Sequence, residues 1–186
     1  MVLARPVSCK EETTMTGGNG NANGSLRAGA VKGAVAGAVG VWLMDLVSTA
    51  MYEQEDEAAK KREEAARVEG KDPASVAAAR IALATGAELS EERQGQAATA
   101  IHYALGVVPG AVYGALRPRL GGSGAGRGLA YGLALFLLND EGIGPALGLA
   151  AGPTAYPWQA HARGLTAHLV LGVATDAVLD LLDRAG

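Results

Sequence analysis

The sequence predicts an all-α integral membrane protein: a bundle of four transmembrane helices, the third kinked or broken, with a polar helical excursion between helices 1 and 2. Three observations lead there. Gln96 to Leu116 is a run of 21 residues without a formal charge, and it has no polar face to turn toward water. Apolar residues, 49% of 186 with only 4% aromatic, gather in four stretches. Each stretch is near the ~20 residues needed to cross a ~30 Å hydrocarbon core. The 27 glycines would weaken helices exposed to water, but small residues let membrane helices approach closely.

Residues 1–27 read as a flexible N-terminal tail carrying a Gly/Asn run, and residues 28–186 as one transmembrane domain. Arg5 and Pro6 interrupt the short apolar start, so no signal peptide is expected. Cys9 is the single cysteine, which excludes an intrachain disulfide and any CxxC site. The first span, 33–52, has Asp45 as its only charge.

The polar loop 53–95 follows. Its pairs Asp56–Lys60, Glu57–Lys61 and Glu63–Arg67, four residues apart, predict a solvated extension of the first helix. Asp72-Pro73 then reads as an N-cap followed by proline at the first helical position, opening an Ala-rich helix that ends near Gly86. Ser90 with Glu91 and Glu92 caps the start of the second span, 96–116, which carries His102. The glycines between 121 and 126 match neither GxxxxGK[ST] nor GxGxxG and read as a connector. The third span, 128–151, is interrupted by Asn139-Asp140-Glu141 and by Pro145, and could kink or re-enter. The fourth, 162–182, holds His168 and Asp176, with His161 at its mouth beside Arg163.

Lys and Arg divide evenly between the two sides of such a bundle, so the short, acid-free loop with Arg117, Arg119 and Arg127 decides orientation and places both termini in the cytoplasm. A net charge of −3 without a basic, aromatic-interleaved run gives no reason to expect nucleic acid. The expected partners are the lipid bilayer, protons or a small solute, and a second copy of the chain.

Small residues recur four apart: Gly33 and Gly37 in the first span, and Gly106, Gly110 and Gly114 after His102 in the second. The third carries Gly144 and Gly148, and in the fourth Gly164 and Gly172 flank His168. Residues four apart share a helix face, and rows of small residues mark where helices touch. At ~1.5 Å per residue, Asp45 and Asp140 lie roughly 18–20 Å from one end of their helices. His102 and His168 lie roughly 10 Å from the other end, about the same level. These four, with Glu141 beside them, form a candidate buried polar layer; Asp176, His161 and Tyr103 are secondary candidates. Ionisable groups inside a membrane are costly and suggest function, and histidine changes charge near neutral pH. The same residues could equally be helix glue, worth about 1 kcal/mol or less per pair.

No motif calls for a cofactor. Two histidines on facing helices suit axial haem ligation, and the acids and imidazoles suit a metal by type, but no HxxxH or HExxH spacing supports either. No serine sits in a GxSxG elbow, and Cys9 has no base partner, so no enzyme is expected.

Trp42-Leu43-Met44-Asp45, His102-Tyr103-Ala104-Leu105-Gly106, Asp140-Glu141, Gly152-Pro153-Thr154-Ala155-Tyr156-Pro157, His161 and Ala167-His168-Leu169-Val170 together resemble the pattern of the YagU-like family of bacterial inner-membrane proteins, which share a domain of unknown function. The resemblance spans about residues 29–182. It implies a bacterial plasma-membrane location and no established enzymatic activity, and it supplies no substrate.

Overall fold

The structure, a computed structural model, describes residues 18–121 and 124–185, with side chains from Gly24 onward. Cys9 and residues 1–17 of the expected tail lie outside the described residues. Among the described residues every regular element is helical.

Helix α1 (Gly18–Glu53) begins earlier than expected, so residues 18–27 are its first turns and not part of a flexible tail. Once a helix is nucleated, each further residue adds one hydrogen bond, which offsets the poor propensity of the Gly/Asn run. Glu53 ends α1, and α2 (Glu57–Ala66) is a separate helix rather than an extension of it. The break is set by Asp56, whose extended backbone and side chain cap α2 through the Ala59 N–H at 2.8 Å. Turning there buries Ala59 and Glu63 instead of leaving the segment solvated.

Positive-φ conformations at Glu69 and Gly70 reverse the chain into α3 (Pro73–Thr85). Asp72 caps its start, accepting from the Ser75 N–H at 2.9 Å. Gly86, with φ +67, ends it, and the Gly86 and Ala87 amides close onto the Leu83 and Ala82 carbonyls. α4 (Glu91–Leu116) follows, with Ser90 as its cap. Next come α5 (Ala125–Leu135), a π-helical stretch Phe136–Ile143, the single turn α6 (Gly144–Ala146) and α7 (Trp158–Ala185). At Asn139-Asp140-Glu141 the chain stays helical and widens its turns, so the Gly144 N–H reaches the Asn139 carbonyl.

α1 packs on α4 and on α7, α5 packs on α7, and α3 leans on α4. Backbones approach through small residues. A Cβ at Gly110 would lie 2.6 Å from the Gly33 carbonyl oxygen, and one at Gly37 would lie 2.6 Å from that of Gly106. Gly29 and Gly114 meet in the same way one turn further on, and Gly172 of α7 faces Gly128 and Gly132 of α5. Gly144 and Gly148, expected in such rows, meet no backbone of a partner helix. Gly144 faces its own turn, and Gly148 takes φ +64 in the loop after α6, next to Arg80. Gly164 faces a side chain, the Asp140 carboxylate.

The interior is therefore rich in Gly and Ala, while many large apolar side chains point outward: Val31, Val35, Trp42 and Leu46 on α1, and Leu105, Val108, Val112 and Leu116 on α4. A protein folded in water does the reverse. Three helices, 24–53, 91–119 and 158–185, are long and apolar enough to cross a membrane.

Candidate functional site

Asp45 on α1 and His102 on α4 face one another because the glycine seam below them brings the two backbones together. His102 Nε2 lies 2.8 Å from Asp45 Oδ1. On α7, His168 is 3% exposed and uses its Nδ1–H on the Gly164 carbonyl of the preceding turn at 2.9 Å. The same nitrogen stands 3.6 Å from Asp140 Oδ2. Asp140 can come so close because residue 164 has no side chain: a Cβ there would meet its carboxylate at 3.1 Å.

Two turns nearer the start of α7 than His168, His161 holds Glu141. Its Nδ1 is 2.6 Å from Glu141 Oε1, and its Nε2 is 2.9 Å from the Pro153 carbonyl. Both ring nitrogens face acceptors. A neutral imidazole carries only one N–H, so this arrangement holds either an imidazolium beside a carboxylate or a neutral ring beside a protonated Glu141.

His102, Asp140, Glu141, His161 and His168 all line one cavity of about 460 Å³. Asp45 stands behind His102 and does not line it. The remaining wall is largely apolar, with Val41, Met44, Ile101, Leu105, Leu135 and Leu171 prominent. The π-helical stretch presents the consecutive residues Asn139, Asp140 and Glu141 to the cavity. Tyr103 packs edge-on to His102, with ring centroids 5.9 Å apart, and joins the apolar cluster of Val41, Leu135 and Leu171.

Two corrections concern the secondary candidates. His161, expected at the mouth of the fourth span, belongs to the cavity, since the loop after α6 brings Pro153 and the π-helical stretch brings Glu141 to it. Asp176 does not belong to the layer. It lies two turns beyond His168, about 12 Å along α7, and is 1% exposed in a separate cluster. There it accepts from the Tyr113 hydroxyl at 2.7 Å and from Arg117 Nε at 2.8 Å, with Arg127 3.5 Å away. Arg117 also bonds Asp180 and Asp183, and Lys32 reaches Asp183 at 3.0 Å.

A second charge cluster closes the cavity end of the bundle and was not anticipated. Arg163 bonds Glu55 and Glu63, the latter at 2.6 Å, with its guanidinium 5.0 Å from the Tyr52 ring centre. This pins α2 against the start of α7, so that Glu63 and Arg67 reach the cavity wall. Among the described residues no group of three or more His, Cys, Asp or Glu is arranged to hold a metal ion. No protein family, curated protein or solved structure matches the chain.

Proposed function

We propose that this chain is a multi-pass membrane protein whose carboxylate–histidine cavity responds to protons and handles a small solute. The observation that carries the proposal is the convergence of His102, His161 and His168, each beside a different carboxylate, on one hollow with apolar walls. Ionisable groups at this depth are expensive to keep and imply a use. The imidazole is the side chain whose protonation changes near neutral pH.

Four spans follow if residues 125–146 are counted as the fourth crossing. Their helical turns run on through the π-helical stretch for about 30 Å. The outward apolar side chains and the small-residue interior support the membrane setting. A bacterial inner membrane, cytoplasmic termini and membership of the YagU-like family remain part of the proposal. They rest on the basic 117–127 loop and on the motifs around Asp45, His102, Asp140 and His168. The self-association reading has less to draw on, because the glycines of α1 and α4 already meet each other within one chain.

The test is a pH titration of the imidazole signals by NMR in nanodiscs. His102→Ala and His168→Ala should leave the protein inserted and shift the titration of the remaining imidazoles. Curves for the remaining imidazoles that do not move in either variant would overturn the proposal.

A further inference from the structure

We propose that the cavity takes a small organic cation, an ammonium group on an apolar body, with Asp140 as its counter-ion; this rests on the reading that the cavity is a ligand site. A volume of about 460 Å³ is that of a site for a small molecule. The choice of charge follows from the state of each acid on its wall. Glu63 is bonded by both Arg67 and Arg163. Asp72 is engaged by the backbone N–H and hydroxyl of Ser75. Glu141 is held by His161.

Asp140 alone makes no hydrogen bond among the described residues. His168 Nδ1, its ion-pair partner, stands 3.6 Å away and donates to the Gly164 carbonyl. The Asp140 side chain is 43% exposed, yet its surroundings are the cavity and its apolar lining. Among the acids on this wall, Asp140 is thus the one whose carboxylate oxygens are left to water or to a ligand. An ammonium supplies both the donor and the charge. A carboxylate ligand would meet Asp140 with like charge, and a neutral apolar ligand would displace water from Asp140 and return nothing. The rings of Phe136 and Tyr156 also line the cavity.

Protons compete for the same place. Asp140 is faced by Glu141 on its own turn, by His161 and His168 from α7, and by His102 from α4 with Asp45 of α1 behind it. Glu63 and Arg67 of α2 and Asp72 before α3 complete the wall. Acidification adds protons to the imidazoles of this set, and a positive charge beside Asp140 competes with a bound ammonium.

The experiment compares n-hexylamine, hexan-1-ol and hexanoate by calorimetry on the full chain in nanodiscs. At pH 7.5 the amine should bind and the other two should not. Its affinity should fall at pH 5.5, and Asp140→Asn should lower it on the order of tenfold or more, the value of one charge-assisted contact. Equal binding of the alcohol or the acid, no binding of the amine, or an Asp140→Asn variant of unchanged affinity would overturn the proposal. If Asp140→Asn does not fold, the three-probe comparison on the native chain decides. Imidazole titrations on the same ligand-free samples separate this failure from that of the proton reading: they can persist while the amine fails to bind.

Discussion

The guanidinium of Arg80, on α3, donates to the carbonyl oxygen of Gly148 at 2.9 Å, across 68 residues of chain. Its second nitrogen takes the Leu147 carbonyl at the same distance. These are carbonyls of the turn that ends the α5–α6 segment, so α3 serves as the cap that the turn lacks.

Arg80→Ala should loosen that turn locally. The side chain is 45% exposed, which holds the expected cost to about 1 kcal/mol despite two charge-assisted bonds. Hydrogen exchange should speed up at the Leu149 and Ala150 amides, both of which bond the Gly144 carbonyl. Unchanged protection there would show that Arg80 is not holding the turn.

Replacing Gly110 by Ala should force α1 and α4 apart. The new methyl group would sit 2.6 Å from the Gly33 carbonyl, a backbone atom that cannot swing away. The expected loss is about 1–3 kcal/mol by thermal unfolding in detergent. Gly95→Ala is the matched control, because nothing lies within 4 Å of its Cβ. It should be neutral or stabilising by up to about 1 kcal/mol. Equal effects of the two changes would mean that close backbone approach does not hold this pair.

Arg117→Ala should cost more than Tyr113→Phe. Losing the guanidinium takes the nearer cation from the buried Asp176 carboxylate, leaving Arg127 at 3.5 Å, and costs up to about 3–5 kcal/mol, whereas losing the hydroxyl removes one bond to it, about 1–3 kcal/mol. Unfolding midpoints in the opposite order would contradict the structure of this cluster.

Asp72 ties stability to acid pH. Burial pushes its carboxyl up, but the bonds from the Ser75 hydroxyl and the Ser75, Asp72 and Ala74 backbone outweigh this and hold it below the usual value of 3.8. Its folded pKa is thus lower than its unfolded one, so its contribution is complete above about 3.8 and is lost as pH falls through the lower folded value. Asp72→Ala should cost about 1 kcal/mol at neutral pH and flatten this part of the acid dependence. An unfolding profile against pH that keeps its full acid slope in the variant would refute the assignment.

Much of this arrangement can be read in one dimension. Asp45, His102, Asp140 and His168 stand out because a lone charge or imidazole in an apolar stretch is visible without a structure. Spacing and rise then set their level. The partner of each is harder to read. His161 sits at the end of a span, where an imidazole is unremarkable, and its role depends on Pro153 and Glu141 arriving from another segment. Arg163 with Glu55 and Glu63, and Arg80 with Gly148, join residues far apart in the chain, and local periodicity carries no trace of such meetings. Asp176, Asp180 and Asp183 stand four and three apart on α7, a single acidic face that required a cation, and Arg117 provides it.

The widened turns between Phe136 and Ile143 tie function to segment length more tightly than to composition. Deleting one residue there would let the ladder close in ordinary α-helical steps and remove the extra residue that the wide turns hold. Asn139, Asp140 and Glu141 could then no longer all be presented to the cavity, and the pairing of Asp140 with His168 and of Glu141 with His161 would be lost together. Related chains that keep this chemistry should therefore vary the side chains of this stretch more readily than its number of residues.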